Sequence, residues 1–297
     1  MNKVDIVLAT YNGEKFIAQQ LDSIISQTYS NWKLIISDDG STDNTISIIE
    51  NYINSDERII LVNKTRQGGV VPNFSRALEF VTSNYIMFSD QDDYWLPEKI
   101  EHLKGILENK ESLIGNIPLL VFSDFTVTSE NLTVLIQNFY VGKGLNPECN
   151  LDPRFLSWRS TLFGCTVMFN KSLYKIAFPF KHESVVMHDQ WFALEASLSG
   201  CVLYAKKSLV YHRQHDNNVV GSKVKTFAER LKGSLVSVSK IMDAAYGTNR
   251  MTIELYGVEE RLLANKLRFV RVNILPFFHM ARIYSLFFIF FYICSRN

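Results

Sequence analysis

Cysteine is scarce and scattered in this chain. Cys149, Cys165, Cys201 and Cys294 form no C-x-x-C pair. Neither a zinc site nor a disulfide framework is therefore expected, and a reducing compartment is the simpler reading. Glycine-rich phosphate loops are also missing. No G-x-G-x-x-G follows the first apolar run, and no G-x-x-x-x-G-K-[ST] occurs anywhere. That separates the chain from dehydrogenases and P-loop NTPases, and leaves any phosphate charge to be met by other means. An excess of one charge sign is lacking as well. A formal net charge of +1 over 297 residues gives no global basicity for a nucleic-acid partner and no acidic excess for disorder. The segment from Met1 to Thr10 does not read as a signal peptide, because Asp5 interrupts it and no small-residue cleavage site follows. The long uncharged run Ile283 to Cys294 is short of the roughly 20 residues that a membrane-spanning helix takes. Extending it back to Ile274 would enclose Arg282 and His279.

Hydrophobic residues make up 47% of the chain, enough for a core in one or two domains. In the first half, strand-like and helix-like segments alternate. Val4 to Ala9, Trp32 to Ser37, Ile59 to Val62 and Tyr85 to Ser89 read as buried strands. Lys15 to Gln27, a segment capped by Asp43, Asn73 to Val81, and a run opened by Pro97 and reaching about Leu107 read as helices. This βαβαβαβ order predicts an α/β fold with a mostly parallel central sheet flanked by helices. Ligands in such folds bind beyond the carboxyl ends of the strands. After about residue 115 the expected elements are strands over Leu119–Phe125, Thr161–Phe169 and Val202–Val210, a helix over Asp189–Leu198, and helices from Lys223 onward.

Three strand-end loops share a character. They carry Thr10, Tyr11 and Asn12; Asp38, Asp39, Gly40, Ser41 and Thr42; and Asp90, Gln91, Asp92 and Asp93. Clustered carboxylates repel one another unless something cationic offsets them. A hard divalent ion, Mg²⁺ or Mn²⁺, held by one or two carboxylates and by the oxygens of a diphosphate ligand, would do so.

Ala9-Thr-Tyr-Asn12, Ser37-Asp-Asp-Gly-Ser-Thr-Asp-Asn-Thr45 and Phe88-Ser-Asp-Gln-Asp-Asp-Tyr-Trp-Leu-Pro97, in this order and spacing, resemble the motifs of family 2 glycosyltransferases, whose fold is called GT-A. The resemblance spans roughly residues 3 to 220 and implies roles. Thr10, Tyr11 and Asn12 would lie at the nucleotide, and Asp39 would bond the imide of a uracil or thymine. Asn73 and Arg66 flank a loop near the nucleotide, with Arg66 open to being a solvated loop residue. Asp90 and Asp92 would form the metal-binding pair, with Asp92 the direct ligand. Asp38 is open to a turn-capping role, and Asp93 to capping or to an acceptor contact. Asp189, in Met187-His-Asp-Gln-Trp191, would be the catalytic base, where an arbitrary protein would use it as a helix cap. Gly164, Cys165 and Trp191 would line the acceptor site, or Gly164-Cys-Thr166 would be only a tight turn. His215, in a closing loop Tyr211 to Gly221, would meet the metal or the diphosphate, although Asp216 stands where relatives more often have Gly. These elements lean toward the rhamnosyltransferase subset: an inverting, metal-dependent transfer of L-rhamnose from dTDP-rhamnose to a glycan of cell-surface polysaccharide. A UDP-hexose or UDP-N-acetylhexosamine transferase is the alternative, and a non-catalytic sugar-nucleotide or glycan-binding protein the rival from another class.

The expected organisation is a catalytic domain over 1–220, with a nucleotide-sugar half (1–115) and an acceptor half (116–220), and a helical, membrane-associating region over 221–297. From Arg261 to Asn297 there are six basic residues and no acidic one. With the aromatic run that follows, this suggests a segment lying on an anionic membrane surface, a lipid-linked glycan acceptor, and a cytoplasmic, peripheral location. A tail packed on the domain or crossing the membrane remains open.

Overall fold

The computed structural model describes residues 3–215, 234–257 and 263–295. Within them the strands are β1 (Val4–Thr10), β2 (Trp32–Asp38), β3 (Ile59–Asn63), β4 (Tyr85–Asp90), β5 (Tyr94–Trp95), β6 (Leu119–Thr128), β7 (Val134–Ile136), β8 (Val167–Asn170) and β9 (Cys201–Arg213). The helices are α1 (Ile17–Ile25), α2 (Thr45–Ser55), α3 (Val70–Leu78), α4 (Lys99–Ile114), α5 (Phe139–Lys143), α6 (Pro153–Leu156), α7 (Lys171–Ala177) and α8 (His188–Ser199). Three further helices follow, at Ser234–Tyr256, Leu263–Phe269 and Arg282–Cys294.

One sheet runs β3-β2-β1-β4-β8-β6-β9-β5, with β7 paired to β6. It is parallel from β3 to β4. Beyond that it is mixed: β8 is antiparallel to both neighbours, and β9 is parallel to β6. Burial on both faces explains why β1 and β6 read as near-continuous apolar runs. Asp5, the charge inside the first run, is fully buried. Its carboxylate accepts the N–H groups of Thr82 and Ser83 at 2.6 and 2.8 Å and the Ser83 hydroxyl at 2.7 Å, tying the turn before β4 to β1.

Register decides where the site falls. Thr10 pairs with Asp38 and Ala9 with Asp90, so the first, second and fourth strands end level with one another. Their loops leave from one edge of the sheet. At the other side, β5 pairs Tyr94 with Tyr211, which carries the end of β9 to the loop Asp90–Asp93.

Some boundaries differ from the sequence reading. Thr161–Phe169 is a strand only from Val167; before it the chain closes a tight turn, with Thr166 N–H bonded to Phe163 C=O at 2.9 Å. The helix placed from Asn73 begins at Val70. Pro97 lies in a turn before α4, in which Lys99 N–H reaches Leu96 C=O at 3.1 Å.

The C-terminal segment packs on α6 and the residues just after it. Phe155 and Trp158 join Ile241, Ala245, Phe269, Val270, Ile274, Phe288 and Tyr292 in a second apolar cluster. The helix Arg282–Cys294 turns Ser285, Phe288 and Tyr292 inward and leaves Ile283, Leu286 and Phe290 exposed by 74%, 59% and 61%. Among the described residues no helix is long and apolar enough to cross a membrane. Arg261, Leu262 and the part of the closing loop from Asp216 to Gly221 lie outside the described residues.

Candidate active site

A cavity of about 550 Å³ opens at the carboxyl edge of β1, β2 and β4. That is a ligand-sized volume. Thr10, Tyr11, Asn12, Asp39, Arg66, Asn73, Asp90, Asp92, Gly164, His188, Asp189 and His215 are among the residues lining it.

One end is built from the first two loops. Tyr11 is 44% exposed and lies under the Arg66 guanidinium, 4.6 Å from the ring centre. Gln91 fixes its backbone by accepting Tyr11 N–H at 2.9 Å and donating to Tyr11 C=O at 3.0 Å. This clamp needs Gly13, because a Cβ there would stand 2.2 Å from Gln91 Oε1. Asn12 takes a positive φ of 47° and accepts Thr42 N–H at 2.9 Å. Asp39 is buried and orders the neighbouring loop: its carboxylate accepts the N–H groups of Gln67, Gly68 (2.9 Å) and Gly69 (3.0 Å). Asn73 braces the strand ends, accepting the Ser37 hydroxyl at 2.6 Å and donating to Thr10 C=O at 3.1 Å. Asp38 turns away into its own loop, accepting Ser41 N–H at 2.6 Å and the Thr10 hydroxyl at 2.7 Å. That is the turn-capping arrangement.

The acidic loop is split by its partners. Asp92 meets His215 Nε2 at 2.7 Å, and its backbone carbonyl accepts Arg213 Nε at 2.9 Å. Asp90 is pushed well above the usual carboxylate range, first by burial and then by the charges of Asp93, Asp92 and Asp189, against a smaller opposing pull from His212. Asp93 is not among the residues that line the cavity. It is fully buried against His212 Nδ1 at 2.9 Å. Burial, the largest influence on both, opposes the ion pair, yet attraction wins: Asp93 is lowered and His212 raised to about 9. Asp93, Cys165 and His212 present ligand-type atoms within 4.8 Å of one another. Because His212 already balances Asp93, we read this trio as an internal ion pair with a neutral thiol, whose pKa burial raises further.

Of that trio only His212 borders the cavity, whereas Asp90, Asp92 and His215 all do. The two carboxylates suit a hard cation such as Mg²⁺ or Mn²⁺.

Asp189 lies in the first turn of α8, after the N-cap residue Met187, and one oxygen accepts Gln190 N–H at 2.7 Å. Burial raises its pKa to about 6, against the backbone N–H groups of Gln190 and Gly164, which lower it. Such a carboxylate is ionised at pH 7 and close to the optimum for accepting a proton. Gly164 adjoins it: a Cβ there would lie 3.6 Å from Asp189 Oδ2 and 3.1 Å from His188 Nε2.

The structure therefore brings Thr10, Tyr11, Asn12, Asp39, Asn73, Asp90, Asp92, Asp189, His215 and Gly164 to one cavity. Cys165 and Trp191 are not brought there. Cys165 is buried beside Asp93, and Trp191 donates Nε1–H to Ala177 C=O at 2.9 Å inside the core. The sequence reading gave no role to His188, His212, Gln91 or Arg213. His212 lies inside β9 and His215 two residues past its end, so strand alternation gives no sign that both reach the same acidic loop.

Residues 5–163 match the Glycosyl transferase family 2 profile, more than half of the chain. The chain belongs to this family. Among curated members, it is 31% identical over 242 residues to the dTDP-rhamnosyl transferase RfbG of Shigella flexneri, covering 77% of this chain and 78% of that one. It is 29% identical over 182 residues to the UDP-Glc:alpha-D-GlcNAc-diphosphoundecaprenol beta-1,3-glucosyltransferase WfgD of Escherichia coli, covering 61% of this chain and 65% of that one. The putative glycosyltransferase EpsE of Bacillus subtilis is 33% identical over 127 residues, 42% of this chain and 46% of that one. Against WfgD and EpsE, the chain thus spans less than two thirds of the relative's length. The fold matches S. aureus TarS 1-349 in complex with UDP-GlcNAc at a TM-score of 0.58 with 19% identity, covering 99% of this chain and 90% of TarS 1-349. It matches the Pyrobaculum calidifontis mannosyltransferase PcManGT, solved with GDP-Man and Mn2+, at 0.57 with 15% identity, covering 96% and 72%. This member of the glycosyl transferase family 2 thus has the GT-A fold.

Proposed function

We propose that the enzyme transfers a sugar, L-rhamnose from dTDP-L-rhamnose, to a lipid-linked glycan with inversion at the anomeric carbon. The observation that carries the reaction type is that one cavity holds both the Asp92–His215 pair and Asp189, a carboxylate with its pKa raised to about 6. The base would lie along Tyr11 and reach Asp39, and the diphosphate would lie at Asp90, Asp92 and His215. A divalent cation held by Asp90 and Asp92, with His215 beside them, would offset the charge of the leaving diphosphate. Asp189 removes the proton of the acceptor hydroxyl as its oxygen bonds the anomeric carbon from the opposite face. The bond to the diphosphate breaks, and the nucleoside diphosphate leaves.

The rhamnosyl donor is supported by the likeness to RfbG, and UDP-glucose by the likeness to WfgD. A donor screen separates them. With Mn²⁺ present, the purified enzyme is expected to release dTDP from dTDP-L-rhamnose faster than UDP from UDP-glucose or UDP-N-acetylglucosamine. Faster release of UDP would transfer the assignment to the UDP-sugar alternative.

A pH profile tests the base. Because Asp189 must be ionised to accept the proton, kcat/KM is expected to fall about tenfold per pH unit below about pH 6 and to be level just above it. An acid limb near pH 4 would point to an unperturbed carboxyl instead.

Membrane attachment follows from the outer face of the C-terminal segment. Ile283, Leu286 and Phe290 are exposed, as are Arg268, Arg271 and Arg282. Apolar and basic groups exposed together suit an anionic interface. Lipid attachment also agrees with the diphosphoundecaprenol in the name of WfgD. The full chain is expected to float with phosphatidylglycerol vesicles. The double substitution Leu286→Glu, Phe290→Glu should lose most of that binding while keeping donor cleavage. Equal flotation of both proteins would refute the role of this face.

A further inference from the structure

His188 is an unusual group to bury. It is 2% exposed and lines the cavity, yet neither ring nitrogen has a hydrogen-bonding partner among the described residues. Leaving a buried donor and acceptor unsatisfied is costly, so such a group calls for a ligand or another explanation. The ring cannot easily turn to find a partner. Its face stacks on Phe74 with centroids 3.8 Å apart, and Phe88 meets it edge-on at 4.6 Å.

The surroundings also say what kind of ligand fits. Burial holds the imidazole neutral, with its pKa lowered to about 3, so it offers one donor and one acceptor. Either kind of nitrogen can bond a neutral hydroxyl, itself donor and acceptor, whereas a phosphate calls for cations. Nε2 and Asp189 Oδ2 both border the space that Gly164 leaves empty for want of a Cβ, at 3.1 and 3.6 Å from where that atom would stand. The hydroxyl therefore belongs to a group close to the proposed base. Phe74 and Phe88 come from α3 and β4, the elements that also supply Asn73 and Asp90, which places His188 on the donor side.

We propose that His188 hydrogen-bonds a ring hydroxyl of the transferred sugar and is a specificity-determining residue of the reaction. This rests on the donor-site reading of the cavity. The selected hydroxyl is fixed by the stacked imidazole, and sugars lacking it are turned over less well. His188→Phe keeps an aromatic ring on Phe74 but removes both nitrogens.

The test compares kcat/KM for dTDP-L-rhamnose, or for UDP-glucose where the donor screen selects it, with kcat/KM for its analogues deoxygenated singly at each ring hydroxyl. In the wild type, one analogue is expected to be at least tenfold poorer, and in His188→Phe that ratio should collapse toward one. Nucleoside diphosphate affinity should be unchanged, because the diphosphate end is not touched. Where His188→Phe fails to fold, His188→Leu, which also lacks both nitrogens, serves in the same comparison. A purely structural role would lower all donors alike and leave every ratio as in the wild type, which overturns the proposal. A wild type that cleaves no sugar nucleotide at all overturns the donor-site reading and this proposal together. Cleavage with undiminished ratios in the variant overturns this proposal alone.

Discussion

Asp189→Asn is expected to lower turnover by about 10²–10⁴-fold, with donor KM little changed. The substitution keeps the shape and an oxygen that can accept the Gln190 N–H. It removes only the ability to accept a proton. Stability should not fall. Folding raises the Asp189 pKa to about 6, above the roughly 3.9 of an unfolded chain, so the folded state disfavours the ionised form. That cost is absent below about pH 4 and complete above about pH 6, and Asn escapes it. Melting at pH 7 is therefore expected to be unchanged or higher. Near-wild-type turnover would leave Asp189 only its hydrogen bond from Gln190 N–H. Glu183 and Glu195 are no ready substitutes: neither borders the cavity, and Glu195 is half-buried elsewhere on α8.

Asp92→Ala is expected to reduce turnover by about 10³-fold or more, to near the background rate. The estimate follows from the several kcal/mol that a bound cation contributes when charge develops on a leaving group. Mn²⁺ affinity, read by electron paramagnetic resonance, should fall in parallel, and excess EDTA should silence the wild type. The fold should survive, because Asp92 lies at the cavity edge and packs no core. Full turnover in excess EDTA would contradict metal dependence and leave Asp92 as a partner of His215 only.

Local patterns in the sequence carried much of the architecture. The first, second and fourth strands are short apolar runs closed by turn residues, and their level ends put Thr10, Asp39 and Asp90 together. Residues whose placement depends on distant partners were not legible. Asp93 and His212 are 119 positions apart, and their pairing is made by the two-residue strand β5, too short to show any periodicity. His188 looked like part of a helix-opening motif, and only its stacking on Phe74 and Phe88 reveals the unsatisfied nitrogens. Trp191 shares that motif, yet its indole is spent on Ala177. The tail's composition could not decide between packing and interface. Its helix packs with Phe288 and Tyr292 and leaves Leu286 and Phe290 exposed.

A crystal structure of the enzyme soaked with dTDP or UDP and Mn²⁺ tests the central claim most directly. The account predicts the base on Tyr11 within bonding reach of Asp39, the diphosphate and ion at Asp90, Asp92 and His215, and space for a sugar between Gly164, His188 and Asp189. Nucleotide bound away from this cavity, or an empty cavity at saturating nucleotide, would contradict it.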